Sequence, residues 1–441
     1  MIRASAPAGL SALRGTLVDF TADPHLAGAA ALRHVDDGLL VLHDGLIAAA
    51  GPADALLPGL PPGTPVADQR GRILMPGFVD AHIHYPQTDI IASHGKQLMD
   101  WLHTYTFPAE GRFADIEHAR AVAGFFLDEL LRNGTTTAAV YATVHKHAAE
   151  VLFEAAQARH MSIITGKVMM DTQSPRFLCD TAQSSYDDSA ALIERWHGRD
   201  RLLYAVTPRF VITSSKEQLR MAARLLDEHP GVRMQTHIAE NQAEIRLVAQ
   251  MFPDSRDYLG VYEDFDLLRP GALFGHCIHF DPSAWARFAA AGAVAVHCPT
   301  SNLFLGSGLF NIDAARAVAA RVALATDVGG GTSFSMLQTM GEAYKVAQMG
   351  QHPLTSLDAF YMATLGGAKA LGLDGRIGNF DPGKEADIIA LDPASTPLLA
   401  HRTALARTME EKLFALMVLG DDRAVATTWV LGPPVQGASE D

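Results

Sequence analysis

At 441 residues, with 48% apolar and 19% charged residues, the chain exceeds one small domain and has ample material for a large core. Its formal net charge of −14 argues against binding nucleic acid or an anionic membrane, which needs clustered Lys and Arg, and is compatible with a small neutral substrate. The cysteines, Cys179, Cys277 and Cys298, are odd in number and lack a Cys-x-x-Cys spacing, which implies a reducing compartment and no disulfide framework.

The segment Met1–Pro7 lacks the apolar core of a signal peptide, and no later stretch is long enough to span a bilayer, so a cytoplasmic location is expected. Up to Met75 the chain reads as short strands and turns. Asp44-Gly45 is a hairpin signal between the apolar run Leu39–Leu42 and the pair Leu46-Ile47. From Phe78 onward, apolar runs ending in polar residues alternate with helix-like segments. Strand candidates begin near Phe78, Thr135, Ser162, Leu202, Val232, Gly271, Ala293 and Val322. Helical spacing is plain at 149–158 and 218–228. Eight β/α units are what a closed (β/α)₈ barrel requires, so the predicted class is α/β, a TIM-like barrel. Helix-like stretches follow at 335–348 and 357–371. The run Gly378–Glu385 breaks the pattern, 386–391 reads as a strand, and a short Gly/Ser tail closes the chain. The two ends are therefore expected to build one small β-sandwich domain: 1–75 and 376–441 form it, and 76–375 form the barrel.

Catalytic groups of such barrels sit at the C-terminal ends of the strands. In the segment Met75–His84, His82 and His84 stand two apart on a strand and therefore project to the same side. The other strand ends supply His237, His276 and Asp327. Three imidazoles and a carboxylate suit Zn²⁺ with an open position for water, and the same set could hold Fe²⁺. Glu240, three residues beyond His237, could curl over the metal and exchange protons with a substrate whose leaving amine must be protonated. Asp327 could ligate through one oxygen and accept the water's proton through the other, and His276 could hold the hydroxide. Any one of these histidines alone would more often be structural. His145-Lys146-His147 repeats the His-x-His spelling but runs into a helix-like segment, so the pair is read as surface, with the rings facing apart. His103, His279 and His297 read as supporting or structural residues.

The segments Pro76–His84 (PGFVDAHIH), Thr236–Glu240 (THIAE), Thr326-Asp327 and Gly378–Asp392 resemble the amidohydrolase superfamily over almost the whole chain. Tyr85-Pro86-Gln87, Trp101–Glu110 (WLHTYTFPAE), Thr207–Phe210 (TPRF), His276–His279 and His297–Asn302 narrow the resemblance to its guanine deaminases. The resemblance implies one Zn²⁺ per subunit on His82, His84, His237 and Asp327, a homodimer, and catalytic roles for Glu240, Asp327 and His276. It implies hydrolytic deamination of guanine to xanthine and ammonia by a metal-activated hydroxide, with Gln87, Arg209 and Phe210 binding the base and Trp101 walling it. The chemistry agrees: an amide offers donor and acceptor, a guanidinium offers a fork of donors, and aromatic faces stack. The bland alternatives are that Gln87 caps a helix, Arg209 pairs with a structural carboxylate and Phe210 is core. The aromatic stretch 101–107 could be a lid or a subunit interface. A sister enzyme acting on another nitrogen heterocycle would share the metal ligands but differ at Gln87, Arg209 and Phe210. A non-catalytic scaffold barrel would ordinarily have lost the ligands.

Overall fold

The computed structural model describes residues 9–95 and 97–435, so the Met1–Pro7 segment and the Gly/Ser tail read above lie outside the described residues. Both chain ends share one six-stranded sheet. Its strands are β1 (Ser11–Phe20), β2 (Leu32–His43), β3 (Leu46–Pro52) and β4 (Val66–Pro76), completed by β14 (Ile388–Leu391) and β15 (Val425–Trp429) in the order β15-β14-β4-β1-β2-β3. β1 and β4 pair in parallel and the other neighbours antiparallel. The expected hairpin joins β2 to β3 through Asp44 and Gly45, both at positive φ (51° and 82°), the backbone a tight type I′ turn demands. The sheet curls over itself: Leu46 bridges Glu385, and Leu13, Leu40, Ile47, Leu74, Ile388 and Trp429 from its two halves meet in one core.

Between β4 and β14 runs the barrel. Eight parallel strands follow chain order: β5 (Phe78–His84), β6 (Thr135–Tyr141), β7 (Ser162–Gly166), β9 (Leu202–Pro208), β10 (Arg233–Ile238), β11 (Leu273–His276), β12 (Val294–His297) and β13 (Arg321–Leu324). A two-residue strand, β8 (Val168–Met169), adds beside β9. β5, β6 and β7 are buried along their whole length, as strands covered on both faces must be. Small side chains fill the interior, among them Val79, Ala81, Ala139, Ala205 and Ala323, and Leu371, Leu373 and Ile377 join the same cluster. The last and first strands close through residues just beyond β13. Asp327 N–H donates to His82 O at 2.9 Å, and His84 N–H donates to Val328 O at 2.9 Å. That closure brings the two ends of the barrel sequence side by side at the strands' C-terminal rim.

The helix expected at 357–371 is broken into Ser356–Met362 and Leu365–Ala370, because Thr364 (φ −130°, ψ −102°) departs from helical backbone. Two helices absent from the sequence reading, Pro397–Ala404 and Met409–Leu419, lie between β14 and β15. The second returns to the barrel, where Phe414 meets Tyr344 edge-on at 5.0 Å and Glu410 O accepts from Ser356 Oγ at 3.0 Å. Sheet and barrel are also joined by buried charge. Arg201, 6% exposed and just ahead of β9, reaches Asp387 at 2.5 Å and Glu385 at 2.9 Å. No helix among the described residues is long and apolar enough to cross a membrane.

Candidate metal centre and base pocket

Four donor atoms converge at the rim where the barrel closes. His82 Nε2 and His84 Nε2 are 3.2 Å apart, and His84 Nε2 lies 3.2 Å from His237 Nε2. Asp327 Oδ1 is 3.3 Å from His82 Nε2 and 3.4 Å from His84 Nε2. Ligands placed tetrahedrally at the usual Zn–N and Zn–O lengths are themselves about 3.3–3.6 Å apart, so these spacings fit one divalent ion. The donor chemistry fits as well. His237 Nδ1 lies 2.7 Å from the Arg209 carbonyl, which can only accept. Nδ1 therefore carries the proton, and the Nε2 lone pair points into the cluster. Lone pairs 3.2 Å apart repel unless a cation lies between them. A second grouping of His82, His276, Cys298 and Asp327 also falls within ligand range, but the Cys298 thiol donates to Val296 O at 3.6 Å.

Two features of the site were beyond sequence reasoning. Asp80, buried one turn of the pleat before His82, accepts from the His82 and Thr326 backbone N–H groups at 3.2 and 3.1 Å and so ties the first strand to the last. The rim also holds non-glycine residues in left-handed backbone: Ala239 (φ 50°), His276 (75°), Cys277 (50°) and Asp327 (52°). Such conformations cost of order 1–3 kcal/mol each and persist where surrounding structure dictates them. They turn the His276 and Asp327 side chains inward at the point where each strand ends.

Glu240 stands over the donor cluster. Its Oε1 accepts from Ser307 Oγ at 3.0 Å, and its Oε2 is 3.3 Å from His276 Nε2. Burial first, then the nearby Asp327 charge, pushes its carboxyl up from 4.5 to about 8. His276 Nδ1 donates to Asn302 Oδ1 at 2.8 Å, which leaves Nε2 facing Glu240 and, at 3.8 Å, Asp327. His279, read as a supporting residue, meets the Ser307 carbonyl at 3.0 Å, behind the hydroxyl that serves Glu240. His297 is buried and stacks on Phe310 at 4.6 Å. His103 is exposed.

A cavity opens over the cluster, with about 420 Å³ of empty space when the open solvent at its mouth is included. His84, His237, Glu240, His276 and Asp327 form its floor, and Gln87, Trp101, Arg209 and Phe210 form its walls. All four sequence-derived wall residues thus face the space beside the metal ligands. Trp101 is 2% exposed and meets Tyr105 and Phe304, so this ring belongs to the cavity wall within one chain. Ser301 also lines the cavity, and its buried Oγ has no hydrogen-bond partner. Ser301 and Glu110 fall within the motifs His297–Asn302 and Trp101–Glu110, whose spelling assigns neither a role. Glu110 proves to be the carboxylate that Arg209 pairs with, at 2.8 Å. The structural alternative for Arg209 is therefore present together with its place in the cavity wall. His145 and His147 depart from the expected surface pair with rings facing apart. The two residues precede and begin the helix Lys146–Gln157, and the backbone at His145 (φ −73°, ψ 117°) is extended. Their rings are consequently parallel, 5.7 Å apart and half-buried, rather than facing apart on the surface. His147 Nε2 is 2.8 Å from Phe113 O.

The amidohydrolase family model matches residues 73–435. A guanine deaminase of Escherichia coli is 48% identical over 425 residues, covering 96% of this chain and 97% of that protein. The chain belongs to the amidohydrolase family, among its guanine deaminases. A solved structure of E. coli guanine deaminase superposes with a TM-score of 0.95 at 47% identity, covering 97% of this chain and all (100%) of that one. A guanine deaminase structure from C. acetobutylicum, with guanine bound in its active site, is similar to this amidohydrolase at a TM-score of 0.88 and 28% identity, over 97% of this chain and 100% of that one.

Proposed function

We propose that the chain catalyses the hydrolytic deamination of guanine to xanthine and ammonia, with Glu240 handling the protons and Gln87, Arg209 and Phe210 holding the base. One observation carries the reading: a buried carboxyl, an amide, a guanidinium and an aromatic ring face one cavity above three imidazole nitrogens and a carboxylate oxygen. His82, His84, His237 and Asp327 would hold one ion per subunit, Zn²⁺ by donor chemistry, with Fe²⁺ compatible. When bound, the ion would lower the pKa of a water from about 15.7 toward ~7 and make hydroxide available at neutral pH.

The chain's own residues supply the rest. Glu240, held protonated near neutrality, donates from its carboxyl to the ring nitrogen beside the carbon that bears the amine. Negative charge then does not build up on the ring as the tetrahedral centre forms. Asp327 accepts the attacking water's proton at the oxygen facing His276, and His276 Nε2 orients that water. The proton taken up by Asp327 is then passed to the amine through the ionised Glu240, and the amine leaves as ammonia. Gln87 and Arg209 fix the edge of the base, and Phe210 and Trp101 enclose its plane, so the reacting carbon is presented in one orientation. The same reading takes 76–375 as the barrel and 1–75 with 376–441 as the small β domain. It also takes the protein as cytoplasmic and as a homodimer, and light scattering at low concentration tests the homodimer.

The decisive experiment is ammonia release from metal-quantified protein given guanine, adenine, cytosine, adenosine and an aminotriazine. Release with guanine, matched by xanthine, is expected. Release only with another compound would keep the hydrolase and discard the substrate; no release with metal bound would discard guanine as well.

A further inference from the structure

Arg209 and Gln87 do not stand alone in the cavity wall. Glu110, from the short helix Phe107–Gly111, lies behind them and is fully buried (0% exposed). Both of its oxygens accept from Arg209 Nη1 at 2.8 Å, and Oε1 also accepts from Gln87 Nε2 at 3.3 Å. Phe107, on the same helix, lies 5.8 Å from the Arg209 guanidinium, on the ring face. The opposite end of the Gln87 amide, Oε1, accepts from Gly329 N–H at 3.4 Å. A carboxylate can only accept, so the NH₂ of Gln87 must turn toward Glu110 and its oxygen toward Gly329.

The charge pattern has a second effect. Arginine stays protonated at any relevant pH, and a buried guanidinium without a counter-ion would make the cavity an anion trap. Paired with Glu110, Arg209 presents N–H donors without net charge. This bears on the reaction because substrate and product differ in acidity. Replacing the amine by a carbonyl converts guanine, neutral near physiological pH, into the more acidic xanthine, part of which is then anionic.

We propose that Glu110 is the residue that sets selectivity for the neutral substrate over the anionic product: it positions Arg209 and Gln87 as one recognition unit and cancels the Arg209 charge. The proposal rests on guanine being the substrate. It also gives the Phe107–Glu110 part of the sequence motif a physical task, because one turn of helix supplies both the ring beside the guanidinium and its counter-ion.

The test compares metal-loaded parent, Glu110→Gln and Glu110→Asp. KM and kcat for guanine are measured, with xanthine inhibition below and above the pH at which xanthine ionises. The glutamine variant keeps size and an acceptor but loses the charge. Its KM for guanine should rise about tenfold while kcat changes much less, because alignment weakens and the proton-transfer groups are untouched. Its affinity for neutral xanthine should fall as its affinity for guanine does, because both use the same Arg209–Gln87 edge. The ratio of anionic to neutral xanthine affinity, in contrast, should rise about ten- to a hundredfold over the parent, the scale expected of one uncompensated charge at close range in a protein environment. Glu110→Asp, which restores the charge, should return xanthine inhibition toward the parent. The other ionisable groups facing the cavity, His84, His237, Glu240, His276 and Asp327, are common to all three proteins, so the differences isolate Glu110. Affinities for guanine, neutral xanthine and anionic xanthine all falling together in the glutamine variant would reveal a merely structural residue and overturn the proposal. The parent is a test in its own right if a variant fails to fold: tighter binding of anionic than of neutral xanthine by the parent also overturns it. A parent that binds metal but never turns over guanine sinks the substrate reading instead, and that result is in hand before any variant is made.

Discussion

Gly275 in β11 has no side chain, and a Cβ built there would stand 2.8 Å from His82 Cε1 and 3.1 Å from His82 Nδ1. Ordinary contact begins near 3.4 Å, so Gly275→Ala asks His82 to retreat by about 0.6 Å, the difference between 3.4 and 2.8 Å. The ring has nowhere to go. It is 1% exposed, with ring centroids of Tyr141 at 4.6 Å, His237 at 4.7 Å and His84 at 5.0 Å around it. Metal ligands tolerate about ±0.2 Å, so the displacement exceeds what coordination absorbs. Loss of ligand orientation ordinarily costs about 10–100-fold in metal affinity, and a loss in that range is expected here. Competition against a chelator of known affinity, on protein shown to be folded by its circular dichroism melt, reads it directly. Turnover should recover in part when excess metal is supplied. Affinity within about threefold of the parent would show that His82 is not held against β11 as described, and that the donor cluster is looser than its spacings imply.

Three further outcomes follow from the same structure. Glu240→Gln should retain metal and fold but lose about 10²–10⁴ in kcat, the usual worth of a positioned proton-transfer group, and near-parent xanthine formation would remove Glu240 from that role. Burial raises both Glu240 (from 4.5 to about 8) and Glu244 (from 4.5 to about 7), so the folded state keeps protons that the unfolded chain gives up above about pH 4.5. The stability they contribute is present below that pH and is lost as pH rises through about 7 to 8. Urea midpoints of metal-free protein should therefore fall across that interval, less steeply in Glu240→Gln, and equal slopes would contradict the assignment. Arg201→Ala strips the counter-ion from buried Asp387 and should cost about 3–5 kcal/mol in urea unfolding. An unchanged midpoint would mean the charge cluster does not bind sheet to barrel.

The chain by itself determined the alternation of strand and helix, the start of each barrel strand to within two residues, and which side chains stand at the strand ends. These properties are local. A strand's side-chain period and the run of apolar residues it needs when covered on both faces are written in neighbouring positions. His82-Ile83-His84 and His237 with Glu240 were legible for that reason, and so was the turn at Asp44-Gly45. The break at Thr364 and the helices after β14 were not, because packing against distant elements overrides local pattern there.

Only the tertiary structure decided how these residues meet. Asp327 reaches His82 because the barrel closes between its last and first strands, and sequence order carries no trace of that distance. His276 and Asp327 adopt left-handed backbone, which these two residue types enter more readily than most but which only the surrounding structure holds them in. Glu110 lies 99 residues from Arg209, and its place at the end of the Trp101–Glu110 motif assigns it no partner. Its meaning came from being buried beside a guanidinium, since a charge removed from water must find its partner wherever the fold brings one. The stacked His145 and His147 show the converse. Their spacing was readable, but the backbone at the helix start, not the spelling, set the direction of the rings.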